Sequence, residues 1–218
     1  MNKPRENSPA RQDLIDSITK GASDLGIVLP DEAPQRMLNY LQELQSWNQH
    51  HNLTAIDNLD KMVTHHLLDC LSILPFIRSD CVCDIGSGAG LPGIALALAQ
   101  PGLQVTLVES RAKKVSFLLH VLNKIETTNV ITEQIRVEDF KPDAQFDTIT
   151  ARALAPLDKL FSLCRHLVKP GGCILAMKSS NVEKELAQLS AAEQAGCRLE
   201  QLAVPGVNAR RCVVILEC

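Results

Sequence analysis

The stretch from Cys81 to Glu109 constrains the fold more than any other part of the chain. Val82 to Ile85 is a short, largely apolar run cut off by a glycine, and it reads as a buried strand. Gly86, Gly88 and Gly90 follow, giving a loop whose backbone can turn tightly and approach a ligand with no Cβ in the way. Leu91 to Gln100 predicts a helix with Pro92 in its first turn, where a missing N–H does no harm. Gln104 to Val108 is the next strand, and Glu109 sits at its carboxyl end. Strand, glycine loop, helix, strand and acid, in that order, describe the nucleotide-site half of an open α/β sheet.

The glycines alone leave two ligand classes open. Counted from Gly86, the third position of a dinucleotide fingerprint falls on Leu91 and fails; counted from Gly88 it is complete at Gly93. A nicotinamide-dependent oxidoreductase therefore shares this start. Asp84 favours the other class. An acid two residues before the first glycine is a poor neighbour for pyrophosphate, whereas it suits the sulfonium and ammonium groups of S-adenosylmethionine. Glu109 can accept hydrogen bonds from both ribose hydroxyls.

Composition bounds the remaining classes. No apolar run approaches the ~18 residues of a membrane helix, and the first residues lack the apolar core of a signal peptide. A soluble cytoplasmic protein with no membrane partner is expected. The eight cysteines form no CxxC pair, which fits buried, reduced thiols. His50/His51 and His65/His66 are adjacent pairs whose members diverge on a helix, so no metal site is expected. The formal charge is −3 and the aromatic residues number seven, too few for a base-stacking RNA-binding module without catalysis. Positive charge is local: Lys3, Arg5 and Arg11; Arg111, Lys113 and Lys114; Arg210 and Arg211.

Along the chain, residues 1–11 read as a mobile tail and 12–78 as a helical cap packed on the body. Residues 79–218 form the α/β body. Helices are expected over 111–124, 156–167 and 182–195. Further strands are expected over 129–131, 146–150, 173–177, 197–203 and 211–216, with Lys169-Pro170-Gly171-Gly172 as a sharp turn between elements. This alternation predicts a mostly parallel, doubly wound sheet with one antiparallel strand. Ligands sit at the carboxyl ends of such strands, which gathers Gly86–Leu91, Glu109, Val137, Glu138, Arg152 and Lys178 along one rim. The adenine pocket is expected at Val137 and Glu138. Arg152 either faces the ligand or makes a structural ion pair with Glu138 or Asp84.

The residues also restrict what is methylated. Thr150-Ala151-Arg152-Ala153-Leu154-Ala155 stands where enzymes acting on exocyclic base amines carry Asn/Asp-Pro-Pro-aromatic, and no cysteine is placed for attack on a pyrimidine. Guanine N7 has its own lone pair, so positioning and electrostatics suffice.

Several segments resemble one known family. They are Trp47-Asn48…Asn52-Leu53-Thr54, His66-Leu67-Leu68-Asp69, Asp84 to Gly93, Lys113 to Leu118, Arg136 to Asp139 and Thr150-Ala151-Arg152-Ala153. Together they are similar to the bacterial small-subunit ribosomal RNA methyltransferase G family, also called glucose-inhibited division protein B. The resemblance implies a class I, Rossmann-like methyltransferase fold with a seven-stranded sheet. It implies S-adenosylmethionine-dependent methylation of a guanine N7 in 16S ribosomal RNA, free or within an assembling small subunit, by a monomer. The expected cofactor contacts are Asp84, Gly86, Ser87, Gly88, Leu91, Glu109, Val137, Glu138 and Arg152. Asn52, His66, Lys113, Lys178, Arg210 and, more weakly, Arg211 are implied to hold RNA or the target base. Arg152, Asn52 and His66 are the candidates for positioning at the reacting atom.

Overall fold

The computed structural model describes residues 9–218. Its strands are β1 (Cys81–Ile85), β2 (Gln104–Val108), β3 (Val130–Glu133), β4 (Phe146–Arg152), β5 (Val168–Lys178), β6 (Cys197–Gln201) and β7 (Cys212–Glu217). They form one seven-stranded sheet in the order β3-β2-β1-β4-β5-β7-β6. Only β7 runs against the direction of the other six strands, so the expected mostly parallel sheet is present. Strand order reverses between β1 and β4, and the glycine loop leaves β1 at that switch point.

Alternation along the strands separates two apolar layers. Val82, Leu107, Leu175, Met177, Val213 and Ile215 face one layer; Cys83, Val108, Ile149, Ala151, Ile174 and Val214 face the other. The first layer is shared with the N-terminal helices α1 (Pro9–Asp24) and α2 (Ala33–His51). After them come α3 (Leu59–Met62), a π-helical turn over Val63–Leu68 and α4 (Asp69–Leu71). Helix α5 (Gly93–Ala99) is buried at every residue because it lies between the sheet and this cap. Tyr40 of α2 donates to the Ala89 carbonyl at 2.8 Å, so the cap is tied directly to the glycine loop.

The remaining helices are α6 (Ala112–Lys124), α7 (Leu157–Cys164), α8 (Val182–Leu186) and α9 (Ala191–Gly196). Several boundaries differ from the sequence expectation. Helix α1 already begins at Pro9, and Arg11 bonds Asn39 and Gln42 at 2.7 and 2.9 Å, so residues 9–11 belong to the cap rather than to a tail. Lys3 and Arg5 lie outside the described residues. Pro92 caps α5 instead of entering its first turn, after a cis Leu91–Pro92 bond. The Lys169–Gly172 segment is part of β5: its four residues oppose the single Asp147 of β4, and the bulge is closed by Gly171 N–H donating to the Cys218 carbonyl. The helix expected over 182–195 is split because Ser190 and Glu193 form a reciprocal capping box that starts α9 afresh. No helix among the described residues is long and apolar enough to cross a membrane.

Candidate active site

The glycine loop and the acid after β2 are placed by continuing the β1–β2 and β2–β3 pairings past the strand ends. Ser87 N–H donates to the Val108 carbonyl at 3.1 Å, and Glu109 N–H donates to the Glu133 carbonyl at 3.1 Å. Gly86, Gly88 and Gly90 all adopt positive φ. A Cβ on Gly86 would come within 2.5 Å of Leu154 Cδ1, the movable tip of a partly exposed side chain, so it is the φ of +61° that calls for glycine here. Glu109, 5% exposed, accepts from Gly88 N–H at 3.1 Å through one oxygen and from Arg111 N–H at 2.8 Å through the other. Lys114 Nζ lies 3.7 Å from the same carboxylate.

Beside this turn is a cleft of about 420 Å³. Its walls include Gly86, Glu109, Val137, Glu138 and Leu154. The structure thus brings together four of the expected cofactor residues. Leu91 and Ser87 are buried in the loop itself, and the Ser87 hydroxyl has no hydrogen-bond partner among the described residues. A buried carboxylate bonded to a glycine turn at the edge of a cleft, with an orphaned hydroxyl in the same turn, fits an adenosyl ligand.

Asp84 lies elsewhere than its sequence role suggests. It is fully buried, accepting from Gly93 N–H at 2.9 Å and from the Thr150 hydroxyl at 3.2 Å. Burial pushes its carboxyl up to about 7, against the pull of those two hydrogen bonds. Asp84 therefore shapes the loop from below and does not line the cleft. Its partner Thr150 carried no signal in the sequence; it is in register with Asp84 across β1 and β4.

Arg152 ends β4 facing the cap. Its Nη1 lies 3.4 Å from the His65 carbonyl and 3.5 Å from Asp69 Oδ2. The ion-pair partner is Asp69, not Glu138 or Asp84. Asp69 Oδ1 also lies 3.0 Å from Arg211 Nε. Burial lifts the Asp69 carboxyl above its usual range while the two arginines draw it back. Burial pulls the Arg152 guanidinium down, but Cys70, Asp69 and Tyr40 raise it further.

The residues implied for RNA fall into distinct settings. Asn52 is exposed at the left-handed C-cap of α2, with φ 49°. His66 is buried: its Nδ1–H faces the His65 carbonyl at 3.1 Å, which leaves Nε2 to accept from the Thr54 hydroxyl at 2.9 Å. Burial, then Arg152, depresses its pKa to about 4, so the ring is neutral at pH 7. Lys113 is exposed on α6. Lys178 points to the opposite side of the sheet from Arg152, held at 2.7 Å by both Glu185 and the Ala155 carbonyl. Arg210 pairs with Glu183 and Gln201, away from Asp69. Arg211, not Arg210, joins Arg152.

Thiol chemistry is disfavoured by setting: burial pushes Cys70 and Cys164 up to about 12. Among the described residues no three His, Cys, Asp or Glu side chains converge as metal ligands.

Comparison with known proteins decides the family. The profile described as rRNA small subunit methyltransferase G matches residues 33–214. The chain belongs to that family. A ribosomal RNA small subunit methyltransferase G of Coxiella burnetii (strain Dugway 5J108-111) is 43% identical over 201 residues, 92% of this chain and 97% of the relative. Its counterpart in Alkalilimnicola ehrlichii is 42% identical over 198 residues, 91% and 90% of the two chains. Among solved structures, a putative caffeoyl-CoA O-methyltransferase from Staphylococcus aureus aligns with TM-score 0.56 at 16% identity, over 81% of this chain and 91% of that one. A SAM dependent methyltransferase from Aquifex aeolicus aligns with TM-score 0.55 at 17% identity, over 76% and 96%. These neighbours share the class I methyltransferase fold. Family membership removes the nicotinamide-dependent alternative left open by the glycine spacing. Within the methyltransferase G family, this chain carries the glycine turn, Glu109 and the Val137–Glu138 wall on one rim.

Proposed function

We propose that this chain methylates N7 of a specific guanine in 16S ribosomal RNA with S-adenosylmethionine as donor. The observation that carries the reading is the Glu109-anchored glycine turn beside the Val137–Glu138 cleft, in a chain of the methyltransferase G family. S-adenosylmethionine, when bound, supplies a methyl group on a positively charged sulfur. Glu109 holds the ribose hydroxyls, Val137 N–H and Glu138 meet the adenine edge, and Gly86, Ser87, Gly88 and Leu91 cradle the remainder. Asp84 supports that cradle through Gly93.

Guanine N7 carries no proton, so no residue has to act as a general base. The neutral His66 and the cationic Arg152 are suited to positioning instead. Alignment of two bound reactants accounts for roughly 7–11 kcal/mol of barrier at best. Residues 9–78 serve as the cap, with Asn52 on its surface and His66 buried beside Arg152, and 79–218 as the catalytic body. The exposed cations Arg111, Lys113 and Arg136 meet phosphates, which makes RNA engagement salt-dependent. With a formal charge of −3, the chain gains most from a substrate whose RNA is already shaped by bound protein, an assembling small subunit in the cytoplasm. It acts as a monomer.

The test is transfer of tritiated methyl to ribosomal RNA from cells lacking the protein, followed by mapping of the labelled nucleotide. Label at N7 of one 16S guanine is expected. Absence of transfer, or label on another atom, overturns the assignment.

A further inference from the structure

The π-helical turn over Val63–Leu68 departs from the ordinary helical ladder beside the sheet rim, a feature often found at functional sites. From it the His65 carbonyl meets Arg152, and Asp69 follows directly at the start of α4. The sheet supplies two guanidiniums to this point. Arg152 is in register with Met177 of β5, and Met177 with Val213 of β7. Residues in register share a face, and Arg211 precedes Val213 by two, so Arg152 and Arg211 both face the cap. The intervening rim cation, Lys178, faces the other side, where Glu185 neutralises it.

Charge is not balanced on the cap side. One carboxylate, Asp69, stands between two guanidiniums, which leaves one guanidinium without a carboxylate of its own. The three side chains are mostly buried, at 7% exposure for Asp69, 23% for Arg152 and 19% for Arg211. Asp84, the other buried acid near Arg152, is held by two neutral donors, Gly93 N–H and the Thr150 hydroxyl, and makes no ion pair with either arginine among the described residues. Glu183 is taken by Arg210. An unpaired charge held largely out of water is costly unless an anion completes it. Both contacts of Arg152 among the described residues run through Nη1, which leaves the Nη2 and Nε donors to such an anion. A guanidinium suits phosphate because two parallel N–H groups meet two oxygens.

We propose that Asp69 is a positioning residue that joins Arg152 and Arg211 into one bay for the phosphate of the target guanine nucleotide. The bay rests on the guanine-N7 reading for its biological ligand. Its charge and geometry are independent of that reading. Asp69 draws the two arginines together as their shared ion-pair partner, its Oδ1 making no hydrogen bond among the described residues; the phosphate supplies the second negative charge and fixes the nucleotide against the cap. The role of Asp69 is therefore exerted through the two arginines.

The experiment compares the full chain with Asp69→Asn and Asp69→Glu. The Nε–H signals of Arg152 and Arg211 are followed by NMR during titration with guanosine 5′-monophosphate or guanosine. Both signals are expected to move with the monophosphate and not with the nucleoside, and Asp69→Asn abolishes the response. In methyl transfer, Asp69→Asn lowers kcat/KM for 16S ribosomal RNA about tenfold or more, the scale of one misplaced charge-assisted contact. S-adenosylmethionine affinity stays within about threefold, because the cleft lining does not include Asp69. Asp69→Glu recovers part of the loss. In an Arg152→Ala, Arg211→Ala background Asp69→Asn costs nothing further. Signals of the native chain that ignore the monophosphate, or losses that multiply in that background, overturn the bay. If Asp69→Asn does not fold, titration of the native chain decides alone. A native chain that binds the monophosphate at both arginines but does not methylate ribosomal RNA retains the bay and loses only the guanine-N7 reading.

Discussion

Glu109 and Gly88, twenty-one residues apart, are joined by a hydrogen bond of 3.1 Å from the glycine amide to the carboxylate. The carboxylate that is to hold a ribose thus also holds the loop that covers it. The second oxygen takes Arg111 N–H at the start of α6, so the same side chain fixes three chain segments.

Glu109→Ala removes both anchors. S-adenosylmethionine affinity is expected to fall about 10- to 100-fold, as for the loss of one charge-assisted contact at roughly 1.5–3 kcal/mol. Calorimetric titration checks this. An affinity within about threefold of the native chain would show that the ribose does not use this carboxylate.

Much of this geometry was legible because it is local. The glycine spacing, the acid closing β2 and the alternating elements place Gly86, Glu109, Val137 and Glu138 on one rim by topology alone. The roles of Asp84, Arg152 and Arg211 were not legible in the same way, because they depend on register. Asp84 meets Thr150, sixty-six residues away, only once β1 and β4 pair. Asp69 reaches Arg152 and Arg211 only because a π-turn and two strand ends meet under the cap. Glu185 binding Lys178 likewise depends on where α8 settles. The split between α8 and α9 did carry a local signal, the Ser190-x-x-Glu193 box, which the apolar pattern obscured.

Two buried groups give opposing pH dependences. The folded chain holds Asp84 up to about 7, so the stability of its protonated form is fully present below the usual carboxylate range and is lost as pH rises to about 7. His66 is depressed to about 4, so its contribution is present above its ordinary value of 6.5 and is lost as pH falls towards 4. The windows overlap between about pH 4 and 6.5, where the two trends offset each other. Asp84→Asn keeps an acceptor for Gly93 and leaves the His66 trend alone, so its stability relative to the native chain rises with pH. His66→Gln leaves the Asp84 trend, and its relative stability falls with pH. Urea unfolding at pH 4.5, 5.5, 6.5 and 7.5, chosen to span roughly these windows, measures both. Parallel curves for the two variants and the native chain would place neither titration at these groups.

The adjacent arginines near the C-terminus separate by partner. Arg210 is 43% exposed at its side chain and pairs with the more exposed Glu183. Arg210→Ala is expected to change stability by less than about 0.5 kcal/mol. Arg211→Ala leaves the buried Asp69 with Arg152 alone, at 3.5 Å. The lost ion pair is offset in part by relief of the unmatched guanidinium, so the cost is about 1–2 kcal/mol, below the roughly 3–5 of a fully broken buried pair. Equal urea midpoints for the two variants would contradict this division.

Glycines in this chain differ in what surrounds them, which gives a contrast of two substitutions of identical chemistry. Gly90 has φ +90°, and a Cβ there would lie 2.3 Å from Ile94 Cδ1 and 3.0 Å from Leu118 Cδ2, both in the buried layer beneath the loop. Gly90→Ala combines backbone strain with overpacking, each of the order of 1–3 kcal/mol. A loss of at least about 2 kcal/mol is expected, together with weaker S-adenosylmethionine binding, since Gly90 N–H also donates to the Ser87 carbonyl. Gly102, in the turn before β2, has nothing within 4 Å of the added methyl. Gly102→Ala should stay within about 0.5 kcal/mol of the native chain and leave ligand affinity unchanged. Thermal unfolding and calorimetry on the pair distinguish a loop that needs its bare backbone from one that tolerates a side chain. A Gly90→Ala variant as stable and as tightly binding as Gly102→Ala would mean that Ile94 and Leu118 yield, and that the loop under the cleft is softer than its packing implies.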